Sequence, residues 1–171
     1  GSTYNPNPTY DTYVTLGASV TMDAAGNVYS LGYSYNAISS TSQYDYTVRK
    51  IAPDGTSLWN RSYNGGYSSA SDFARAIAVD ANGNVYATGY GYGPNSNYDC
   101  ETVAWNSSGT LLWADFYNGS DNGYDYCRHI VADDNGNVYV HGYSDEGANY
   151  DYVTIKYNSS GRQWVRTYDS G

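Results

Sequence analysis

The sequence predicts an all-β chain made of three four-stranded antiparallel units, and three observations carry that reading. The string Gly-Asn-Val-Tyr occurs at 26–29, 83–86 and 136–139, in steps of 57 and 53 residues. Between turn signals the residues alternate with period two, and no stretch keeps a helical period. The composition points the same way: 23 of 171 residues are Tyr, against two Phe and one Met. Tyr, Val and Thr suit pleated strands, while Asn and Gly make the turns between them.

The match around each copy is long: Asp23-Ala-Ala-Gly-Asn-Val-Tyr-Ser-Leu-Gly-Tyr33, Asp80-Ala-Asn-Gly-Asn-Val-Tyr-Ala-Thr-Gly-Tyr90 and Asp133-Asp-Asn-Gly-Asn-Val-Tyr-Val-His-Gly-Tyr143. A second block follows each, with Tyr44-Asp45-Tyr46, Tyr98-Asp99-Cys100 and Tyr150-Asp151-Tyr152 leading to Trp59, Trp113 and Trp164. In the second unit the strands are expected near 73–80, 84–90, 98–105 and 110–117. The first two join through Asp-x-x-Gly-Asn, where Asp binds backbone amides and Gly supplies positive φ. The last two join through Pro53-Asp-Gly55, Asn106-Ser-Ser-Gly109 and Asn158-Ser-Ser-Gly161. Only the connection from second to third strand varies much in length, so specificity is expected on that rim. The units span about 13–66, 72–119 and 125–171.

A four-stranded meander repeated at this period is a β-propeller blade, which must stack on neighbours to bury both faces. At these residues the chain resembles the SBBP repeats of seven-bladed β-propellers. Their pattern runs Asp-x-x-Gly-Asn-Val-Tyr-Val-x-Gly-Tyr, then Tyr-Asp-Tyr-x-Thr-Ile-Lys-Tyr-Asn-Ser-Ser-Gly, then Leu-Trp. Tyr150-Asp-Tyr-Val-Thr-Ile-Lys-Tyr-Asn-Ser-Ser-Gly161 follows it closely, whereas Arg49-Lys50 and Glu101-Thr102 depart from it. The resemblance implies a scaffold of surface and secreted proteins and brings no catalytic residues with it.

Thr3-Tyr4-Asn5 and Thr167-Tyr168-Asp169-Ser170 both read as the end of a fourth strand, so the chain is expected to be cut between blades. Three blades leave two faces uncovered, and propellers close with about four to eight. Blade three of one chain is therefore expected to pack on blade one of another, giving a six-bladed ring from two chains or a filament. The cysteines fit this scheme. Cys100 stands where Tyr46 and Tyr152 stand, and Cys127 where Gly17 and Ala74 stand. The joints then read Tyr46 with Ala74, Cys100 with Cys127, and Tyr152 with Gly17 of the next chain. Volume is conserved at each, and a Cys100–Cys127 disulfide is expected, with two buried thiols as the alternative.

The formal charge of −9 excludes the phosphate-neutralising surface of a nucleic-acid binder. No apolar run approaches the roughly 20 residues of a membrane span, and the start lacks a signal-peptide pattern. His129 and His141 are the only histidines and have no evident nucleophile or third metal ligand, so no enzyme and no cofactor are expected. Calcium at the Asp-x-Asn-Gly-Asn turns is the weaker alternative to simple hairpins. Asp45, Asp99 and Asp151 are expected to bond loop amides. Trp59, Trp113 and Trp164, with Tyr29, Tyr86 and Tyr139, are expected to pack structurally. Asn60, Asn106, Asn118 and Asn158 head Asn-x-Ser sequons. The leading functional expectation is a non-enzymatic extracellular or cell-surface element that assembles through blade faces. The rival is a lectin-like module that binds carbohydrate or protein through Tyr33, Tyr35, Tyr90, Tyr92 and Tyr143.

Overall fold

The computed structural model describes residues 16–36, 43–65, 71–94, 97–145, 147 and 149–169. Thr3-Tyr4-Asn5, Ser170 and most of the connection between Tyr33 and Tyr44 lie outside the described residues. Twelve strands follow in chain order: β1 Leu16–Met22, β2 Val28–Asn36, β3 Gln43–Ile51, β4 Ser57–Tyr63, β5 Phe73–Val79, β6 Val85–Tyr92, β7 Tyr98–Trp105, β8 Leu111–Tyr117, β9 Asp125–Ala132, β10 Val138–Asp145, β11 Tyr150–Asn158 and β12 Gly161–Tyr168. They form three antiparallel meanders, β1 to β4, β5 to β8 and β9 to β12. The first strands of successive sheets, β1, β5 and β9, neighbour one another, so each sheet is a blade with its first strand innermost.

The turn between the first two strands is built the same way each time. The Asp80 carboxylate accepts hydrogen bonds from the amides of Asn82 and Asn84 at 2.9 Å, the Asn84 side chain at 2.9 Å and the Tyr86 hydroxyl at 3.0 Å. Asp23 does this for Ala25, Asn27 and Tyr29, and Asp133 for Asn135 and Asn137. Gly26, Gly83 and Gly136 take φ values of 82°, 77° and 76°, the left-handed region where a side chain is strained. Four donors on the Asp80 carboxylate account for its place in the repeat.

Two cores lie between the blades. Tyr29, Leu31, Tyr46 and Val48 of the first blade pack on Ala74, Ile77, Val85, Ala87, Val103 and Trp105 of the second. The opposite face of the second blade, with Ala78, Tyr86, Cys100, Ala104 and Tyr117, packs on Cys127, Ile130, Val138, Val140, Val153, Ile155 and Tyr157 of the third. Strands β5, β6 and β7 of the second blade thus send residues to two different neighbours. The large-with-small pairing is present at the first joint, where Tyr46 and Ala74 are both fully buried in one cluster. At the second joint Cys100 and Cys127 are joined by a disulfide with a Cα–Cα distance of 5.0 Å.

Within each blade a Tyr of the second strand meets the Trp of the fourth: Tyr29–Trp59 at 6.0 Å, Tyr86–Trp113 at 6.1 Å and Tyr139–Trp164 at 6.2 Å between ring centroids. Tyr29 and Tyr86 are buried between blades, while Tyr139 on the last blade is half-buried. Trp59 also donates to the Ser107 carbonyl of the next blade, and Arg61 to the Gly109 carbonyl at 2.7 Å.

The innermost strands carry an irregularity at a constant place. Pairing of β5 with β6 skips Arg75, that of β9 with β10 skips Arg128, and that of β1 with β2 skips Ala18. The skipped residue is a β-bulge, released from the alternation that commits its neighbours to one face or the other.

Replacing Asp80 by Ala removes the acceptor for four donors, two of them in the tightest part of the turn. We expect a loss of about 1–3 kcal/mol in urea unfolding, with the β-rich circular dichroism spectrum retained.

Candidate functional site

The connections from second to third strand bring tyrosines together along one rim. Tyr35 and Tyr33 meet Tyr44, Tyr33 meets Phe73 at 5.5 Å, Phe73 meets Tyr90 at 5.3 Å, and Tyr90 meets Tyr126 at 4.8 Å. The series continues through Tyr143, 5.2 Å from Tyr126, to Tyr150 at 5.3 Å. Many contacts are edge-to-face, the arrangement that the quadrupoles of aromatic rings favour.

At the last joint this series opens into a cleft of ≈ 700 Å³ lined by Tyr90, Tyr126, Arg128, Tyr143, Tyr150 and Tyr152. Arg128 is the bulge residue of β9. Its guanidinium carbon lies 5.7, 5.6 and 5.4 Å from the ring centres of Tyr90, Tyr126 and Tyr143, and Nη2 donates to the Tyr143 hydroxyl at 2.7 Å. Arg75 repeats the arrangement one blade earlier, 5.0 Å over Tyr90 and donating to its hydroxyl at 2.6 Å. Tyr90 is therefore shared by two cations. Burial, then the neighbouring hydroxyls of Tyr150, Tyr143 and Tyr90, push the Tyr126 hydroxyl up to about 12, so it stays neutral.

Of the tyrosines expected on the rim, Tyr90 and Tyr143 line this cleft. Tyr33 and Tyr35 pack around Tyr44, and Tyr92 packs on Tyr98 at 4.5 Å. Tyr126, Arg128, Tyr150 and Tyr152 line the cleft without having been among the expected binding residues, Tyr152 being expected at a blade joint. A signal for two of them exists: Asp72-Phe-Ala-Arg75 and Asp125-Tyr-Cys-Arg128 share an acid, an aromatic and an arginine at one spacing.

His129 and His141 pair across β9 and β10, with rings 6.5 Å apart, on the exposed face of the third blade. His141 Nδ1 lies 3.4 Å from the Thr154 hydroxyl. Among the described residues no group of three or more His, Cys, Asp or Glu is arranged to hold a metal ion.

A second cluster sits beneath the rim, where acids from adjacent blades face each other. The expectation for Asp99 fails, and two loop amides are bonded by other acids: Gly65 donates to Asp72 at 2.8 Å and Gly119 to Asp125 at 2.9 Å. Asp99 takes no such bond, and neither of its oxygens has a hydrogen-bond partner. The residue that bonds the loop belongs to the next blade, because the loop runs toward that blade's first strand. Asp99 is fully buried, against Gly93, where a Cβ would overlap its carboxylate. Burial and, after it, the nearby Asp125 raise Asp99 to about 7. Burial also raises Asp72 to about 7, with Asp45 adding to the effect and the Gly65 amide opposing it. Glu101, fully buried beside Asp72, is pushed well up by burial first and Asp72 second. Asp72 and Glu101 at the first joint and Asp99 at the second are therefore favoured in their protonated forms.

Residues 65–95 and 117–151 match the family model of the SBBP beta-propeller repeat. The two matched stretches contain β5 with β6 and β9 with β10, the inner hairpins of the second and third blades. No curated protein matches the chain. Among solved structures it is similar to a protein of unknown function from Bacteroides caccae, at 13% identity and a TM-score of 0.31, over 89% of this chain and 67% of that one.

The buried acids set a pH dependence whose sign can be worked out. An unfolded Asp releases its proton near pH 4, whereas Asp72 and Asp99 in the fold hold theirs to about 7. Between those values the fold binds more protons than the unfolded chain, so stability falls as pH rises. Asp23 and Asp133 are held below the ordinary value, Asp133 chiefly by the Asn137 side chain and Asp23 by its hydrogen bonds to Asn27, against some burial. Their contribution is lost only as pH falls through those depressed values. The melting temperature should therefore peak at about pH 4–5 and decline toward pH 8. Asp99→Asn should raise it at pH 8 and flatten the decline, as thermal melts across that range will show.

Proposed function

Starting from a chain that carries SBBP beta-propeller repeats, we propose that it is a non-enzymatic extracellular or cell-surface element that assembles head to tail through its blade faces. The observation that carries this reading is what stands at equivalent positions of made joints and end faces. On the third blade Val131 is 61% and Tyr168 69% exposed, where the second blade buries Ala78 to 8% and Tyr117 to 7%. On the first blade Val20 is 66% exposed, where the second buries Ile77 to 6%. Tyr152 is exposed on one end, and Gly17 on the other has open space where a side chain would stand. They are the large and small halves that meet as Tyr46 and Ala74 inside the chain.

A second copy supplies both missing halves at once. The contact is heterologous, so two chains close a six-bladed ring if the angle per blade permits, and otherwise the copies run on as a fibre. The disulfide supports an oxidising compartment. No helix of the described residues is long and apolar enough to cross a membrane.

The cleft favours a second reading, recognition of a saccharide or protein by the tyrosine rim. Tyr rings offer flat apolar faces with hydrogen-bonding tips at low entropy cost.

Light scattering behind a size-exclusion column, over a range of concentrations, tests the assembly. A dimer near twice 18.7 kDa or open-ended larger species is expected. Val131→Glu, a change at an exposed position, should return the protein to a folded monomer that keeps the β-rich circular dichroism spectrum. A wild-type monomer at all concentrations overturns the reading.

A further inference from the structure

Among the described residues no carboxylate pairs with Arg128 in the cleft, whereas Lys50 pairs with Asp23 and Arg162 with Asp115. What surrounds the Arg128 guanidinium is three aromatic faces and one hydroxyl. This happens in a chain of formal charge −9, where carboxylates are plentiful and pairing an arginine would be easy. A guanidinium has five N–H donors in a rigid planar fork, and the Tyr143 bond accounts for one of its nitrogens.

Resting on the recognition reading above, we propose that the cleft binds a saccharide bearing a single carboxylate, a neutral pyranose chain with one uronic acid, whose carboxylate meets Arg128. Four features select this class. The volume of ≈ 700 Å³ lies within the range of about 300–1,000 Å³ usual for small-molecule sites. The walls are tyrosines, and Tyr150 and Tyr152 are exposed at the mouth, so flat apolar faces and hydroxyl tips alternate as they do on a pyranose ring. The guanidinium fork matches a carboxylate in a bidentate pair. One cation in a strongly acidic protein suits one carboxylate and opposes a polyanion, which the surrounding field would repel.

The bulge makes this placement possible. Cys127 and Ile130, on either side of Arg128 and His129, are committed to the core between the second and third blades. The skipped register position lets Arg128 leave the sheet without disturbing them. At the equivalent place of the second blade Cys100 stands where Tyr152 stands and is buried in the disulfide.

Isothermal titration of the wild-type protein with a xylo-oligosaccharide carrying one glucuronic acid, its methyl ester, and the unsubstituted oligosaccharide tests the proposal. The acid should bind at least about tenfold more tightly than the ester, and added salt should reduce that preference. Arg128→Gln should abolish the preference, while Arg128→Lys should keep part of it, with melting temperatures showing that both variants fold. If acid, ester and neutral chain bind equally, saccharide recognition stands and the role of Arg128 falls. If none binds at millimolar concentration, both the recognition reading and this proposal fall. Equal binding of benzoate would overturn the saccharide class while leaving the anion pocket.

Discussion

A four-stranded sheet has two apolar faces and no means of covering either by itself, and everything else in this chain follows from that constraint. Because strand residues alternate, the second blade presents Ile77 and Val85 to one neighbour and Ala78 and Tyr86 to the other. Its sequence must satisfy two different interfaces at once. The tight hairpins, saturated by Asp23, Asp80 and Asp133, hold the strands in the one register that makes both faces apolar. Tyr29, Tyr46 and Tyr157 are the largest fully buried side chains, and their hydroxyls must be accommodated where the blades meet. Tyr29 solves this by reaching its own turn's Asp23, and Tyr157 by reaching Asp115 of the neighbouring blade.

The same packing demand makes the joints expensive places for charge, yet acids stand there. Asp72 and Asp125 each cap a loop amide that arrives from the preceding blade, which is a reason to have an acceptor at that place. Asp99 has no such bond, and burial next to Asp125 keeps its proton on instead.

Much of this architecture was legible from the residues alone because repetition converts chemistry into position. The turn sequence fixed where hairpins fall, and β5 to β8 begin and end within two residues of the ranges read from alternation. The exchange of Tyr46 and Ala74 for Cys100 and Cys127 at equivalent places gave away the disulfide, since volume at a packed joint is conserved. The cleft was less visible for a physical reason. Arg128 sits in a bulge, where the period-two rule that located every neighbouring residue fails, so its side-chain direction could not be assigned. Tyr152 was read as half of a joint, and only the shape of the open end shows it also bordering a cavity. The acid pairs were hidden because their members come from different blades: the Tyr-Asp motif was recognised within each unit, while its opposite number, Asp72 or Asp125, lies ahead of the next unit's alternation.

The Cys100–Cys127 bond also has a mechanical meaning. It links β7 to β9 and encloses all of β8 within its loop. Tension applied along the chain therefore bypasses the 26 residues between the two sulfurs, keeping about 90 Å of contour out of reach of extension. The first blade has no such tether, and its joint to the second is held by packing and a few hydrogen bonds. Nothing covalent stops the first blade from peeling away when it is pulled from its side, whereas β7 of the second blade and β9 of the third stay fastened to each other by the sulfur bridge.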